Sequence, residues 1–249
     1  MKMPHFYAVI IGSEILNGRR EDKHFLYVRN ALLERGHTLY ASLTVKDDPI
    51  LIHNTFTMIK NDPEAVMFSF GGIGSTPDDL TRQIAADVFS DGALAYHEQF
   101  HSDIIKRFGD AAYPYRIDMA KLPKDSALLH NVINNMSGFY LEDRYFFMPG
   151  FPEMSHPMVN EALMRFYPQA KAMYRQTLIA QTSENTLIEC MHQLDPSVEF
   201  SSLPMINGGK PVVEISVASE DEELCDKSFQ LFIQTLHAKS IDYKIINNN

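Results

Sequence analysis

A glycine-rich segment followed at once by acidic residues could hold a phosphate group and a metal ion. Residues 71–81 read Gly-Gly-Ile-Gly-Ser-Thr-Pro-Asp-Asp-Leu-Thr, directly after an apolar run over residues 65–70. A buried strand, a turn without side chains and a helix start together form a place where phosphate can sit on backbone amides. We therefore predict that the amides of Gly71, Gly72 and Gly74 are open to a phosphate group.

The same segment carries oxygen atoms that a divalent metal ion would use. Asp78 and Asp79 stand at the start of a predicted helix, close to the hydroxyl of Thr81. Carboxylate oxygens are ligands that Mg²⁺ prefers. The alternative is a strand-to-helix turn in which both carboxylates only complement the helix dipole. More oxygens gather here than a helix cap requires, which favours a binding site.

Two other loops carry charged side chains suited to the same chemistry. In residues 12–24, Glu14 could ligate a metal ion or act as a base, and three cations could pair with phosphate oxygens. These cations are Arg19, Arg20 and Lys23. A solvated polar loop is the alternative for this segment. In the other loop Asp48 precedes Pro49 as a helix cap would, so Asp47 is available for another role.

The spacing of apolar residues predicts the elements that position these loops. Three segments indicate strands, the first and third of them apolar throughout, and each is followed by a helical pattern. The predicted strands are residues 6–11, 38–45 and 65–70, and the predicted helices are residues 22–34, 49–60 and 80–89. This alternation predicts an α/β fold with a mostly parallel sheet, whose ligand crevice lies beyond the carboxyl ends of the strands. All three loops are expected at that crevice.

The remainder of the chain predicts the end of this domain and a small second one. The first domain should continue with a helix at residues 97–108, paired strands at 139–141 and 145–148, and a helix at 153–166. The second pattern is a strand at 177–181, a helix at 184–194, strands at 198–203 and 212–218, and a helix at 222–238. We predict domains at residues 1–169 and 170–249, the second a small α+β domain.

The overall composition narrows the class of protein. The chain has 22 Lys and Arg against 32 Asp and Glu, a net charge of −10. Nucleic-acid binders present a basic face, so nucleic acid is not an expected partner. Two cysteines without metal-ligand spacing are expected to be reduced thiols, and no apolar run reaches the ~20 residues of a membrane span. We expect a cytoplasmic protein without a membrane partner.

Taken together, the loop motifs resemble the molybdopterin-binding (MoaB/Mog-like) domain, most closely the version at the N-terminus of competence/damage-inducible protein A (CinA). The segments that carry the resemblance are residues 12–16 with Gly18, Val45 with Asp47, residues 71–81, residues 131–141, and residues 148–154 with Pro149 and Gly150. It covers about residues 6–166, and the remainder is similar to the small domain that follows in such proteins. Ser13 and Ser75 depart from the threonine and proline that are usual there.

The resemblance implies a three-layer α/β/α fold and one of two activities. CinA-like domains include a metal-dependent ADP-ribose pyrophosphatase, whereas Mog-like domains bind molybdopterin and some adenylylate it. Asp79 and Asp47 fall on the family's two acidic positions, and Glu14 falls on the glutamate of the first loop. The resemblance also implies a homo-oligomer. The chain ends before a nicotinamide-mononucleotide deamidase domain could begin, so that domain is not expected.

Our main hypothesis is a nucleotide pyrophosphatase that uses Mg²⁺ or another divalent ion such as Co²⁺ and acts on ADP-ribose or a dinucleotide. Asp79, Asp47 and Glu14 would be catalytic, and Asp78, Asp79 and Glu14 would hold the metal ion. The residues expected to bind phosphate and substrate are Ser13, Gly18, Arg19, Arg20, Gly71, Gly72, Gly74, Ser75, Thr76, Thr81, Pro149 and Gly150. The alternative is a module that binds molybdopterin or a nucleotide without hydrolysing it.

Overall fold

The computed structural model describes residues 3–169 and 173–246. The chain divides into two compact units, Met1–Ala170 and Lys171–Asn249, which we call the N-terminal unit and the C-terminal unit. Within the described ranges, no helix has both the length and the apolar character needed to cross a membrane.

The N-terminal unit begins with regular alternation of strands and helices. In chain order its elements are β1 His5–Ile11, α1 Ser13–Leu16, α2 His24–Leu33, β2 Leu39–Val45, α3 Pro49–Lys60, β3 Ala65–Phe70, α4 Thr81–Phe89, β4 Leu94–Tyr96, α5 Glu98–Phe108, β5 Lys121–Pro123, β6 Ala127–Leu129, β7 Gly138–Leu141, β8 Tyr145–Met148 and α6 Pro152–Phe166. Two short 3-10 helices, Gly109–Ala112 and Arg116–Ala120, lie between α5 and β5.

Six strands of this unit form a mostly parallel central sheet, as predicted. Their order is β2-β1-β3-β8-β7-β6. The four strands from β2 to β8 run parallel, whereas β7 and β6 are each antiparallel to the preceding neighbour. The carboxyl ends of β1, β2, β3 and β8 therefore lie along one edge of the sheet, where a ligand crevice is expected.

Helices cover both faces of this sheet, which gives the expected three-layer arrangement. Alternate residues of β1 point to opposite faces. Val9 belongs to a buried cluster that contains Phe56 of α3, and Ala8 belongs to another that contains Val28 of α2 and Val159 of α6. Strands buried on both faces are apolar almost throughout, which is why β1 and β3 are recognisable in the sequence.

The helix predicted over residues 22–34 begins two residues later than expected. The Asp22 carboxylate accepts hydrogen bonds from the backbone amides of His24 (2.8 Å) and Phe25 (3.1 Å). Asp22 therefore satisfies the first free amides of α2 and stands just outside the helix.

The segment between α4 and β7 contains strands that the apolar spacing does not predict. β4 and β5 pair with each other as a separate two-stranded ribbon, and β6 extends the central sheet beyond β7. Each of these strands has three residues, which is too short to show an alternating pattern. This segment also supplies part of the candidate site described below.

The C-terminal unit is a small α+β unit built on an antiparallel sheet. Its elements are β9 Tyr174–Ala180, a 3-10 helix Glu184–Leu187, α7 Ile188–Met191, β10 Glu199–Asn207, β11 Lys210–Ser219, α8 Glu222–Ala238 and β12 Tyr243–Ile246. The strand order is β10-β11-β9-β12, and Phe229 and Phe232 of α8 pack against Val213 and Ile215. The predicted strands and the helix at residues 222–238 are present, and β12 is an additional edge strand. The helix predicted at residues 184–194 is instead a 3-10 helix followed by the short α7.

Candidate functional site

A cleft of about 550 Å³ lies at the carboxyl edge of the central sheet of the N-terminal unit. The loops after β1, β2, β3 and β8 all contribute to its wall. The predicted site residues that line it are Glu14, Arg20, Asp47, Gly71, Gly72, Gly74, Ser75, Thr76, Asp78, Asp79, Pro149 and Gly150. The structure thus brings the three predicted loops together, with a fourth loop that follows β8.

The loop after β3 can follow its path only because two of its residues lack side chains. Gly71 and Gly72 have φ angles of 101° and 68°, in the left-handed region that favours glycine. A Cβ on Gly71 would overlap the carbonyl oxygen of Ile11, and one on Gly72 would overlap the hydroxyl of Thr81. Residues 71–75 therefore pass close to β1 and to the start of α4. We call residues 71–76 the glycine loop.

Thr81 is a supporting residue that lies behind the cleft instead of lining it. Its side chain is fully buried, and Oγ1 donates a hydrogen bond of 2.9 Å to the carbonyl of Gly71. Its backbone amide donates to the carbonyl of Gly72, also at 2.9 Å. These two bonds fix the glycine loop to the first turn of α4.

Only some of the glycine-loop amides that were predicted to be open to a phosphate group lack a protein acceptor. The amide of Gly71 donates to the carbonyl of Met148 at 2.9 Å, so the prediction that it is open to a phosphate group is wrong. In the part of the chain that the structure describes, the amides of residues 72–75 donate to no protein acceptor. All four residues line the cleft. An oxyanion in the cleft could therefore satisfy these donors.

Asp79 braces the glycine loop. Its Oδ2 accepts hydrogen bonds from the amide of Thr76 (2.8 Å) and from the Thr76 hydroxyl (2.7 Å). A Cβ on Gly74 would lie 2.5 Å from the same oxygen, so the carboxylate packs directly on the loop. Asp78 is exposed to solvent.

Arg82 supports the glycine loop from the other side. Its Nη1 donates hydrogen bonds to the backbone carbonyls of Ile73 and Gly74. Burial lowers the pKa of Arg82, although the nearby carboxylates of Asp79 and Asp118 oppose that shift. A guanidinium group stays charged in proteins, so Arg82 places a positive charge behind the loop.

Asp47 and Ser13 join the loop after β2 to the loop after β1. The amide of Ser13 donates to Oδ2 of Asp47 at 2.7 Å, and the amide of Asp47 donates to Oγ of Ser13 at 3.3 Å. Glu14 follows in the one-turn helix α1, with its carboxylate folded over Gly12. Ser13 therefore positions Asp47 without lining the cleft itself.

Two arginines and an apolar wall complete the cleft. The Arg20 guanidinium lies 5.3 Å from the ring centre of Phe151, and that of Arg116 lies 4.9 Å from the ring centre of Phe108. Both distances suit cation–π contact. The remaining apolar side chains of the wall are Ile11, Ile73, Phe100, Met119, Met136 and Met154. Arg116, Met119 and the two phenylalanines Phe100 and Phe108 come from segments in which the sequence reveals no motif.

Two other predicted residues point elsewhere. Gly18 and Arg19 are exposed and do not line the cleft, and Arg19 contacts Asn17 through its amide and Nε, both at 3.2 Å. Lys23 lines a neighbouring cavity of about 300 Å³. Arg20 lines both spaces, so of the three predicted cations it alone faces the cleft.

His24 lines the same neighbouring cavity and was not among the predicted site residues. Its ring stacks on Phe70 with centres 4.2 Å apart, and its buried Nδ1 has no hydrogen-bond partner among the described residues. Burial lowers the pKa of His24 to about 4, more than the Asp22 carboxylate raises it. His24 is therefore neutral near pH 7 and extends the apolar packing of β3.

The acidic residues of the cleft do not form a ready-made metal site. Nowhere in residues 3–169 and 173–246 are three His, Cys, Asp or Glu side chains grouped so that they could hold a metal ion. Asp78, Asp79 and Glu14 share the cleft without forming such a group, and one oxygen of Asp79 is already hydrogen-bonded twice. The assignment of these residues to a metal ion stays a prediction.

Comparison with known proteins agrees with this architecture. Residues 7–169 match the family described as a probable molybdopterin binding domain. The chain is 31% identical over 163 residues to a CinA-like protein of Citrifermentans bemidjiense, which covers 62% of this chain and 38% of that protein. A protein of Pyrococcus furiosus is 23% identical over 252 residues, covering 95% of this chain and 97% of its own length.

A solved structure shows the same fold. It is the protein CinA with unknown function from Thermoplasma acidophilum, which is 26% identical with a TM-score of 0.57. The match covers 66% of this chain and 97% of that one. The chain spans only 38% and 57% of the length of two CinA-like proteins that it matches.

Proposed function

Because this chain belongs to the family of probable molybdopterin-binding domains and is CinA-like, we propose that its N-terminal unit binds a small phosphorylated ring compound. The ligand would be a molybdopterin or a nucleotide. The observation that carries this proposal is that residues 72–75, whose amides donate to no acceptor among the described residues, line the same cleft as an apolar wall.

The phosphate group would lie on the glycine loop. The open amides of residues 72–75 are donors, and Arg82 adds charge behind them. Arg20 and Arg116 line the same cleft and can pair with phosphate oxygens. Because the whole chain carries a net charge of −10, attraction of an anion must come from such local groups.

The ring would lie against the apolar wall. Phe151 and Phe108 offer ring faces or edges, and Met119, Met136 and Met154 can adapt to a flat ligand. A volume of about 550 Å³ falls in the range of small-molecule sites, roughly 300–1,000 Å³. This combination supports recognition of a ring that carries phosphate more than recognition of phosphate alone.

The test is a calorimetric titration of the full chain with molybdopterin and with ADP, in buffer that contains EDTA. We expect at least one of the two to bind, and Arg20→Ala to weaken that binding about tenfold, as loss of a charge-assisted hydrogen bond would. Arg19→Ala is the matched control because Arg19 is a neighbouring exposed arginine outside the cleft. Absence of binding by both ligands, or equal effects of the two variants, would contradict the proposal.

Hydrolysis of a nucleotide diphosphate such as ADP-ribose is a second candidate. It is supported by the convergence of Glu14, Asp47, Asp78 and Asp79 on the cleft that would hold the diphosphate. The protein side chains alone do not fit a metal ion, so we derive no catalytic step from one. Release of AMP from ADP-ribose with Mg²⁺ or Co²⁺, abolished by EDTA, would support this candidate. Binding without any release would leave only the first.

A further inference from the structure

The chain contains two Asn-Gly dipeptides, a pair of residues in which the asparagine side chain can lose its amide without an enzyme. They are Asn17–Gly18 in the N-terminal unit and Asn207–Gly208 in the C-terminal unit. Glycine has no side chain to shield its backbone nitrogen, which is why this pair reacts readily. All four residues are exposed, so exposure does not distinguish the two dipeptides. Their hydrogen bonds do.

The reaction uses only the backbone, the side chain and water. The backbone nitrogen of the glycine gives up its proton and attacks Cγ of the preceding asparagine, and the new N–C bond closes a succinimide ring. The side-chain nitrogen takes up a proton and leaves as ammonia. Water then opens the ring at either carbonyl, which yields aspartate or isoaspartate. The reaction therefore requires a glycine amide that is free of an acceptor and an asparagine side chain that is free to reach it.

The fold opposes both requirements at Asn17. The amide of Gly18 donates a hydrogen bond of 3.2 Å to the carbonyl of Ile15. The side-chain oxygen of Asn17 accepts hydrogen bonds from the amide and from Nε of Arg19, both at 3.2 Å. The Asn17 backbone is held as well, since its amide donates to the carbonyl of Ser13 at 3.1 Å. Several hydrogen bonds must break before the ring can close at this position.

Neither restraint is present at Asn207. This residue ends β10 and pairs with Lys210 across a two-residue turn. The turn residues Gly208 and Gly209 have φ angles of 56° and 77°, as the two-residue hairpin turn with two left-handed residues requires. Within the described residues, the Gly208 amide and the Asn207 side chain have no hydrogen-bond partner. Beyond its chain neighbours, no atom lies within 4 Å of the position that a Cβ on Gly208 would occupy.

We propose that Asn207 is a site of spontaneous deamidation and that the fold protects Asn17 from the same reaction. Conversion places a carboxylate at the end of β10, in the position that pairs with Lys210. The isoaspartate product also adds a methylene group to the backbone at this last pair of the hairpin. The modified site lies in the C-terminal unit, so the proposal does not depend on the proposed function of the cleft.

The test is peptide mapping of the full chain by mass spectrometry after incubation in mildly alkaline buffer. One sample is folded and a parallel sample is unfolded in urea, and both are incubated until half of each Asn-Gly dipeptide in urea has converted. In the folded chain, Asn207 should convert at least about tenfold faster than Asn17, because several hydrogen bonds must first break at Asn17. In urea the two rates should be similar, because the fold is the source of the difference.

Two variants at exposed positions sharpen the test. Asn207→Gln should abolish the conversion at residue 207, because the longer side chain would have to close a larger ring, and should leave the rate at Asn17 unchanged. Arg19→Ala removes one hydrogen bond to the Asn17 side chain and should raise the folded-state rate at Asn17 several-fold.

Three results would overturn the proposal. The first is a rate at Asn207 in the folded chain that is no higher than the rate at Asn17. The second is an Asn207 that stays intact in the folded chain while it converts in urea, because the turn would then protect it. The third is a preference for Asn207 that persists unchanged in urea, since the local sequence and not the fold would then cause it.

Discussion

At the scale of single residues, Asp79 has a role that the sequence alone did not reveal. The motif resemblance pointed to catalysis, whereas the structure shows its carboxylate bonded twice to Thr76 and packed on Gly74. A hydrogen bond to a charged acceptor contributes about 1.5–3 kcal/mol. Asp79 therefore holds the glycine loop in shape, whether or not it also takes part in chemistry.

Asp79→Ala should weaken ADP binding about tenfold or more even in EDTA, because the glycine loop loses two charge-assisted hydrogen bonds. The control is Asp78→Ala, which removes an adjacent exposed carboxylate and should leave ADP bound at least as tightly as in the wild type. Calorimetric titration of both variants measures the effect. Wild-type affinity in Asp79→Ala would show that the bracing role is wrong.

Burial of His24 makes the stability of the N-terminal unit depend on pH. Its pKa is about 4 in the folded chain and about 6.5 when exposed, so the unfolded chain binds the proton more tightly. The contribution of neutral His24 to the free energy of unfolding is complete above pH ~6.5. It declines by roughly 3 kcal/mol at most as the pH falls toward 4. His24→Phe, which can keep the stacking on Phe70, should remove this part of the decline.

Urea unfolding between pH 7 and pH 4 measures the acid response. The His24→Phe variant should lose less stability over that interval than the wild type does. His53→Phe, at an exposed position of α3, is the control and should follow the wild type. If His24→Phe and the wild type lose stability equally, burial of neutral His24 does not govern the response.

Sequence reasoning at this scale succeeded where residues belong to contiguous motifs. Glu14, Asp47 and the glycine loop were predicted because each follows a strand whose carboxyl end lies at the crevice. Arg82 and Arg116 were missed because a single arginine in a helix or a short turn carries no pattern. Their approach to the glycine loop depends on how α4 and the segment after α5 fold over the sheet.

At the scale of elements, the strand–glycine loop–helix unit β3–α4 is the rigid part of the candidate site. Gly72 has a φ angle of 68° and no room for a Cβ beside the Thr81 hydroxyl. Thr81 in turn anchors Gly71. The loop conformation is therefore fixed by backbone geometry before any ligand arrives, which lowers the cost of ordering it on binding.

Gly72→Ala should lower the free energy of unfolding by about 1–3 kcal/mol, because a residue with a Cβ is strained at this φ angle and the Thr81 hydroxyl must move. Gly150→Ala is the matched control, since the nearest atom to its added Cβ is 3.5 Å away, an ordinary contact. Gly150→Ala should change the free energy of unfolding by no more than about 0.5 kcal/mol. Urea unfolding of both variants tests this, and equal stabilities would contradict the account of the loop.

The elements that could be predicted are those with enough residues to show a period. α3 and β3 were predicted with their observed ends, because Asp48 and Pro49 mark the start of α3 and β3 is a continuous apolar run. β4, β5 and β6 have three residues each, and their pairing depends on partners distant in sequence. The helix predicted at residues 184–194 divides into a 3-10 helix and the short α7.

At the scale of the whole molecule, the proposed binding activity belongs to the N-terminal unit. Every residue that lines the cleft lies between Ile11 and Met154. The Pyrococcus furiosus relative matches along 97% of its length, whereas the CinA-like proteins of Citrifermentans bemidjiense and Flavobacterium psychrophilum extend well beyond the match. Activities of those longer proteins are therefore not transferred to this chain as a whole.

The central claim is that the amides of residues 72–75 hold a phosphate group. The most direct measurement is an NMR titration of the ¹⁵N-labelled full chain with ADP in EDTA, following the backbone amide resonances of the glycine loop. We predict that the resonances of residues 72–75 shift with a common saturation curve, and that the Gly71 amide, already bonded to Met148, shifts least within the loop. Saturable binding that leaves residues 72–75 unshifted would contradict the claim.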